Sequence, residues 1–140
     1  MKRFYSSILL TLILVLTTIL TTAAAPVPVT TITLGQELPS TITMNVGETY
    51  PIVIHVESDL EFNTVQALPS FMFPGKGVVA VQGGDRAGQG TSATLEVTFQ
   101  AKSSTANFPE EVAPVSVVVG VRYAGGFVAV KRFDFTVQVP

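Results

Sequence analysis

The sequence predicts an all-β domain, an antiparallel sandwich of seven to eight strands, and three observations carry that reading. Apolar and polar residues alternate at period two through several separate stretches. Turn signals built on Gly, Asn, Asp and Pro fall between those stretches at close spacing. β-branched Val, Ile and Thr dominate, and nowhere do ten residues hold helical spacing. Half-buried antiparallel strands in this rhythm bury their apolar faces by stacking two sheets. The chain has 140 residues, 47% of them apolar and only 13% charged, with no cysteine and no tryptophan. That supports one packed core without disulfides or a structural metal, and it is too apolar for disorder.

Residues 1–25 read as an address rather than as part of the domain. Met1-Lys2-Arg3 is a short basic start. Phe4 to Ala25 then carries no charge, with an apolar run from Ile8 to Leu20 and small residues at Ala23, Ala24 and Ala25. That is the grammar of a secretory signal. The competing reading keeps residues 4–25 as an N-terminal anchor helix, because 22 uncharged residues reach about 33 Å, enough to span a bilayer core. Pro26 suits a protease poorly at the position just beyond a cut, and cleavage after Ala24 avoids it. The sandwich then occupies residues 26–140. Its expected location is secreted or in the cell envelope, membrane-anchored only if the helix stays attached.

Within the domain, Thr30–Leu34 and Thr41–Val46 are the first two expected strands, and Asn45-Val46-Gly47 turns the chain after them. In Tyr50–Glu57, Ile52, Ile54 and Val56 share one face while Val53 and His55 take the other. Asn63–Leu68 and Val78–Gln82 follow as separate short strands, and Gly83 to Gly90 reads as a flexible connection. Thr91–Ala101 has the cleanest alternation, with Ala93, Leu95, Val97 and Phe99 opposed to Thr94, Glu96, Thr98 and Gln100. Ser103 to Pro114 is the longest loop. Val115–Tyr123 places Val115, Val117, Val119, Val121 and Tyr123 on one face, and Ala124-Gly125-Gly126 forms a tight hairpin into Phe127–Val139. In that last strand Phe133, Phe135, Val137 and Val139 point inward. The same parity carried backward buries Lys131 and exposes Val128 and Val130, so a β-bulge near Lys131 is expected to reset the register.

Two segments carry a resemblance. Met44-Asn-Val-Gly-Glu-Thr-Tyr-Pro-Ile-Val-Ile54 has the form strand, Gly-Glu, strand. Gly90-Thr-Ser-Ala-Thr-Leu-Glu-Val-Thr-Phe99 is followed by a Pro-containing loop, then Val-Val-Val-Gly-Val-Arg-Tyr-Ala-Gly-Gly126 and a final strand. Together they resemble prokaryotic immunoglobulin-like modules of S-layer-associated and adhesion-type surface proteins, over most of residues 29–139. The resemblance implies an immunoglobulin-like sandwich and a role in cell-surface binding or adhesion.

Charge and residue types exclude several functions. Beyond residue 25, six basic residues stand against ten acidic ones, a net charge of −4 with no basic run, so nucleic-acid binding lacks its footprint. Thiol catalysis and cysteine-ligated metals have no ligand. Neither a Gly-x-Ser-x-Gly turn nor a His-Glu-x-x-His pair occurs. Gly83 to Gly90 lacks the following helix that a phosphate loop needs. The single histidine, His55, shares an outward face with Glu57, which reads as a solvated pair, so the chain is expected not to be an enzyme.

Three segments remain as candidate sites. Phe71, Met72 and Phe73, between Pro69 and Pro74, either close one end of the core or form an exposed patch for a protein partner. Glu57, Asp59 and Glu61 alternate near a strand end and supply oxygen ligands for a weak Ca²⁺ site, or else a solvated connection. Residues 26–34 are extended and apolar at alternate positions, either a stem plus first strand or a strand donated to a neighbouring copy. Sugar binding has few aromatic platforms, Tyr50 and an inward Tyr123. The expected function is a non-enzymatic exported interaction or structural module acting by protein binding. The alternatives are a self-assembling filament subunit, or a Ca²⁺- or sugar-binding accessory.

Overall fold

The computed structural model describes residues 26–71 and 79–140. The signal or anchor reading of residues 1–25 therefore lies outside the described residues, as do Met72 and Phe73. Among the described residues the chain is all-β, with eight strands: β1 (Thr30–Leu34), β2 (Thr41–Thr43), β3 (Thr49–Phe71), β4 (Val79–Gly83), β5 (Asp85–Ala87), β6 (Gly90–Ala101), β7 (Ala113–Tyr123) and β8 (Val128–Gln138). Their order is β2-β8-β7-β3-β6-β4, and β1 and β5 add to β3 beside this path.

β3 organises the domain. Its first half pairs antiparallel with β1 and β6, and its second half with β7 and β5. A straight strand of its 23 residues would be roughly 75 Å long at ~3.3 Å per residue. Yet Phe99 of β6, opposite Tyr50, meets Phe135 of β8, opposite Val115, edge to face with ring centroids 5.3 Å apart. β3 therefore doubles back, and its halves belong to two layers whose inner faces touch. The expected strands Tyr50–Glu57 and Asn63–Leu68 are the arms of this single strand.

Burial follows the same logic. Ile52, Ile54 and Val56 are buried in the first arm, but Phe62, Val65 and Ala67 in the second, so the inward parity switches. The switch falls at Asn63. Phe62 opposes Tyr123 and Thr64 opposes Arg122, which leaves Asn63 as the extra residue of a bulge. Leu95, Val97 and Phe99 from β6 meet Val115, Val117, Val119 and Val121 from β7 in the core between the layers.

Three expectations need correction. The strands are not all antiparallel, because β2 runs parallel to β8, with Thr41 opposite Thr136 and Thr43 opposite Gln138. Since β3 doubles back, β8 takes the heading of β1, and β2 continues from β1 onto the other layer without reversing. Next, Gly83 to Gly90 is not only a connection: Asp85–Ala87 forms β5, opposite Val65–Ala67. Finally, β8 carries no bulge at Lys131. Its register with β7 is unbroken from Ala113↔Val137 to Arg122↔Val128. The parity conflict is resolved by exposure: Val128 and Val130 face outward. Lys131, at an inward position, reaches the open flank of the sandwich, where its Nζ donates to the Ile32 carbonyl at 2.7 Å. The same ammonium sits 5.1 Å from the Phe133 ring centroid.

Candidate functional site

The outer face of β3, β7 and β8 carries the candidate site, and the strand register builds it. Leu68 lies opposite Val118, and Val118 opposite Arg132. In the next row Arg86, Gln66, Gly120 and Val130 follow one another across four strands. In the third, Thr64, Arg122 and Val128 do the same. On most sheet faces turned to water these positions are polar. Here Leu68, Val128 and Val130 are 48%, 48% and 66% exposed. Gly120 forms the floor of a hollow of about 380 Å³. A Cβ added at Gly120 would meet nothing within 4 Å, so the missing side chain leaves open space.

Among the described residues two guanidinium groups border this hollow, and no carboxylate does. Arg86 Nε donates to Thr64 Oγ1 at 3.1 Å, and that hydroxyl donates to the Ala87 carbonyl at 3.2 Å. Arg122 is exposed, and its side chain makes no such bond among the described residues.

A second, more open recess of about 610 Å³ adjoins the β7–β8 hairpin, lined by Val27, Pro28, Leu60, Glu61 and Phe127 among others. Gly125 and Gly126, with φ of 82° and 85°, make the hairpin in a left-handed conformation that favours glycine. The turn holds Phe127 beside Tyr123, ring centroids 6.0 Å apart. Phe127 of this recess packs beside Tyr123 while Val128 of the hollow lies opposite Arg122, so these consecutive residues take opposite faces of the sheet.

Of the residues singled out from sequence, Glu61 and residues 26–28 border the recess, and the others fall elsewhere. Phe71 ends β3 opposite Val115, and Met72 and Phe73 are outside the described residues. Glu57, Asp59 and Glu61 are exposed along the part of β3 that passes between layers. An Asp59 oxygen already accepts the Val29 N–H at 2.8 Å. Among the described residues no three His, Asp or Glu side chains are grouped to hold a metal ion. His55 is exposed, and its Nδ1 lies 3.1 Å from Thr94 Oγ1. Residues 30–34 are this chain's own first strand, from Thr30↔Ser58 to Leu34↔Ile54. The Tyr123 hydroxyl joins them, bonded to both Thr30 Oγ1 and Ser58 Oγ. Leu68, Gly120, Arg122, Val128 and Val130 were not singled out as a surface. The parity conflict in β8 was the signal for the two valines.

Comparison with known proteins gives a likeness of fold. The sequence matches no family model, and no curated protein matches it. Among solved structures it is similar to the major pilin subunit BcpA of Bacillus cereus, at 9% identity and a TM-score of 0.50, over 81% of this chain and 40% of that one. Domains 4 and 5 of the S-layer protein SbsC are similar at 14% identity and a TM-score of 0.45, over 81% of this chain and 46% of that one. The chain thus spans well under two thirds of the pilin it resembles.

Proposed function

We propose that this chain is an exported, immunoglobulin-like module of the cell surface that works by protein contact and performs no chemistry. The observation that carries the reading is the exposed apolar face of β3, β7 and β8, interrupted by a glycine hollow and bordered by arginines. A solvated sheet face gains nothing from Leu68, Val128 and Val130 in water, whereas a contact face does. The basic start, uncharged run and small residues of positions 1–25 support export. The pilin-like fold supports a structural role at the surface. The alternative, in which residues 26–34 are donated to a neighbour, draws its support from β1 lying beside β3 alone.

Fractionation of cells producing a C-terminally tagged chain tests the main reading. The tag is expected in the envelope or medium and, in the envelope, degraded by protease added to intact cells. A protease-protected chain recovered with the cytoplasm overturns it.

A further inference from the structure

We propose that residues 4–25 stay attached as a membrane span and that the recess beside the β7–β8 hairpin rests on the lipid surface they enter. This contact goes beyond the protein-contact reading and uses a different part of the sandwich from the β3–β7–β8 face.

Position singles out lipid as the occupant. Residues 4–25 carry no charge and are long enough to cross a bilayer core, with Lys2 and Arg3 at the far end. Pro26, the residue that follows this run, lines the recess. By residue 29 the chain is fixed to the sandwich. The Val29 N–H donates to an Asp59 carboxylate oxygen at 2.8 Å, and the Asp59 N–H donates to the Val29 carbonyl at 3.2 Å. Residues 26–29 reach no more than about 14 Å, against roughly 5–8 Å for one headgroup layer. A span ending at Ala25 therefore holds the recess at the bilayer surface, with no linker to carry it away.

The chemistry of this end suits that position. Val27 is 69% exposed, Val29 67% and Phe127 41%. The hairpin tip Ala124-Gly125-Gly126 is exposed and bears no polar side chain, where a turn facing water commonly carries Asn, Asp or Ser. Among the described residues Glu61 is the single charged side chain of the lining, and it is exposed. Such a carboxylate stays hydrated at headgroup depth while the apolar side chains beside it enter the acyl boundary. Hairpin and stem are also tied together, because the Tyr123 hydroxyl bonds both Thr30 Oγ1 and Ser58 Oγ. A span that places Val27 at the bilayer thus brings Phe127 with it.

The chain has no cysteine, so a single introduced cysteine reports a single place. Full-length Val27→Cys, Ala124→Cys and Val46→Cys chains, extracted from cell membranes, are labelled with an environment-sensitive dye. They are then reconstituted into phosphatidylcholine vesicles that contain nitroxide-labelled acyl chains. Val46 precedes β3, and the first arm of β3 runs roughly 30 Å from Thr49 to Ser58, which lies opposite Thr30. The expected result is quenching at positions 27 and 124 and none at 46. Adding Phe127→Asp to the Ala124→Cys chain should reduce quenching at 124 to the level at 46. If that chain fails to unfold cooperatively, Val27→Asp, at a more exposed position, carries the same test. Quenching at 27 without quenching at 124 overturns the proposal, because the domain then swings free of the bilayer. So does quenching at 124 that survives both aspartates, or equal quenching at all three positions. A chain absent from the membrane fraction, or lacking residues 1–24 by intact mass, overturns it as well. None of these results touches the surface reading, which fails on a protected chain in the cytoplasm.

Discussion

Lys131 of β8 donates from Nζ to the backbone carbonyl of Ile32 in β1, 2.7 Å away across the flank between the two layers. The opposite flank is bridged in a related way. Asp85, in a strand paired to the second arm of β3, accepts the Glu96 N–H of β6 at 2.9 Å. A charged side chain thus stands where a further strand would satisfy the backbone, and it marks each edge with a charge.

Replacing Lys131 by Met keeps the apolar stem and removes the donor. The Ile32 carbonyl then loses its partner on the β8 side. Lys131→Met is expected to lower stability by about 1 kcal/mol, the usual net worth of such a bond. Urea denaturation with an unchanged slope checks it. Unchanged or increased stability would mean that the contact contributes nothing.

A second prediction concerns Thr105, fully buried in the long loop before β7. Its backbone N–H donates to the Val139 carbonyl at 2.8 Å, and its hydroxyl accepts the Val139 N–H at 2.9 Å. The hydroxyl also reaches the Glu111 carbonyl. One side chain therefore ties the loop to the end of the chain. Thr105→Val keeps the volume but orphans a buried N–H and carbonyl, so it should cost about 1–3 kcal/mol in the same denaturation measurement.

These contacts show where sequence reading succeeded and stopped. The alternation in β6 and β7 was legible because each strand has one buried and one wetter face, and period two then dictates which residues enter the core. The turns at Gly47 and at Ala124–Gly126 were legible because glycine there takes positive φ. The parity switch at Asn63 is visible in principle, since Phe62 and Val65 are apolar with two polar residues between them, whereas the alternation in the last strand points to a bulge at Lys131. Whether that bulge forms depends on whether Lys131 has a partner at an inward position. The partner is a carbonyl 99 residues away in sequence, which no local pattern records. The exposure of Val128 and Val130 follows from the same contact and is equally invisible to a local pattern. β5 was missed because a three-residue strand in a Gly-rich segment has no period to read.

Glu110 and Glu111 adopt φ of 56° and 57°, a left-handed conformation that costs a non-glycine residue energy. The turn that holds them is closed by the Glu111 N–H on the Phe108 carbonyl at 3.0 Å. Glu110→Gly removes the steric cost and adds chain entropy to the unfolded state, and the first effect should prevail by about 0.5–1 kcal/mol. Thermal unfolding should show a higher midpoint. A lower one would mean that Glu110 contributes more than its backbone strain costs.

Calcium offers a further check. Asp59 is engaged by the Val29 N–H, and Glu57, Asp59 and Glu61 are not grouped with one another as a set of ligands. Millimolar Ca²⁺ is therefore expected to leave the thermal midpoint unchanged, because only a ligand of the native state raises it. A rise that Glu57→Gln removes would restore these carboxylates as a weak site.

The role of residues 26–34 separates a first strand from a donated one. Ile32 is buried in the core, and the ladder from Thr30↔Ser58 to Leu34↔Ile54 covers one side of the first arm of β3. Deleting the segment exposes Ile54 and Val56 along that edge, frees the Tyr123 hydroxyl from Thr30, and leaves Lys131 without the Ile32 carbonyl. Burying one isoleucine is worth roughly 1.5–3 kcal/mol, and the lost ladder adds to it, against a total that for a domain of this size is only about 5–15 kcal/mol. Light scattering and circular dichroism on residues 26–140 and on residues 35–140 distinguish the cases. The longer chain should fold, and the shorter should lose cooperative unfolding and aggregate. If the longer chain instead forms polymers that vanish on deletion and leave a folded monomer, residues 26–34 serve a neighbour rather than their own sheet.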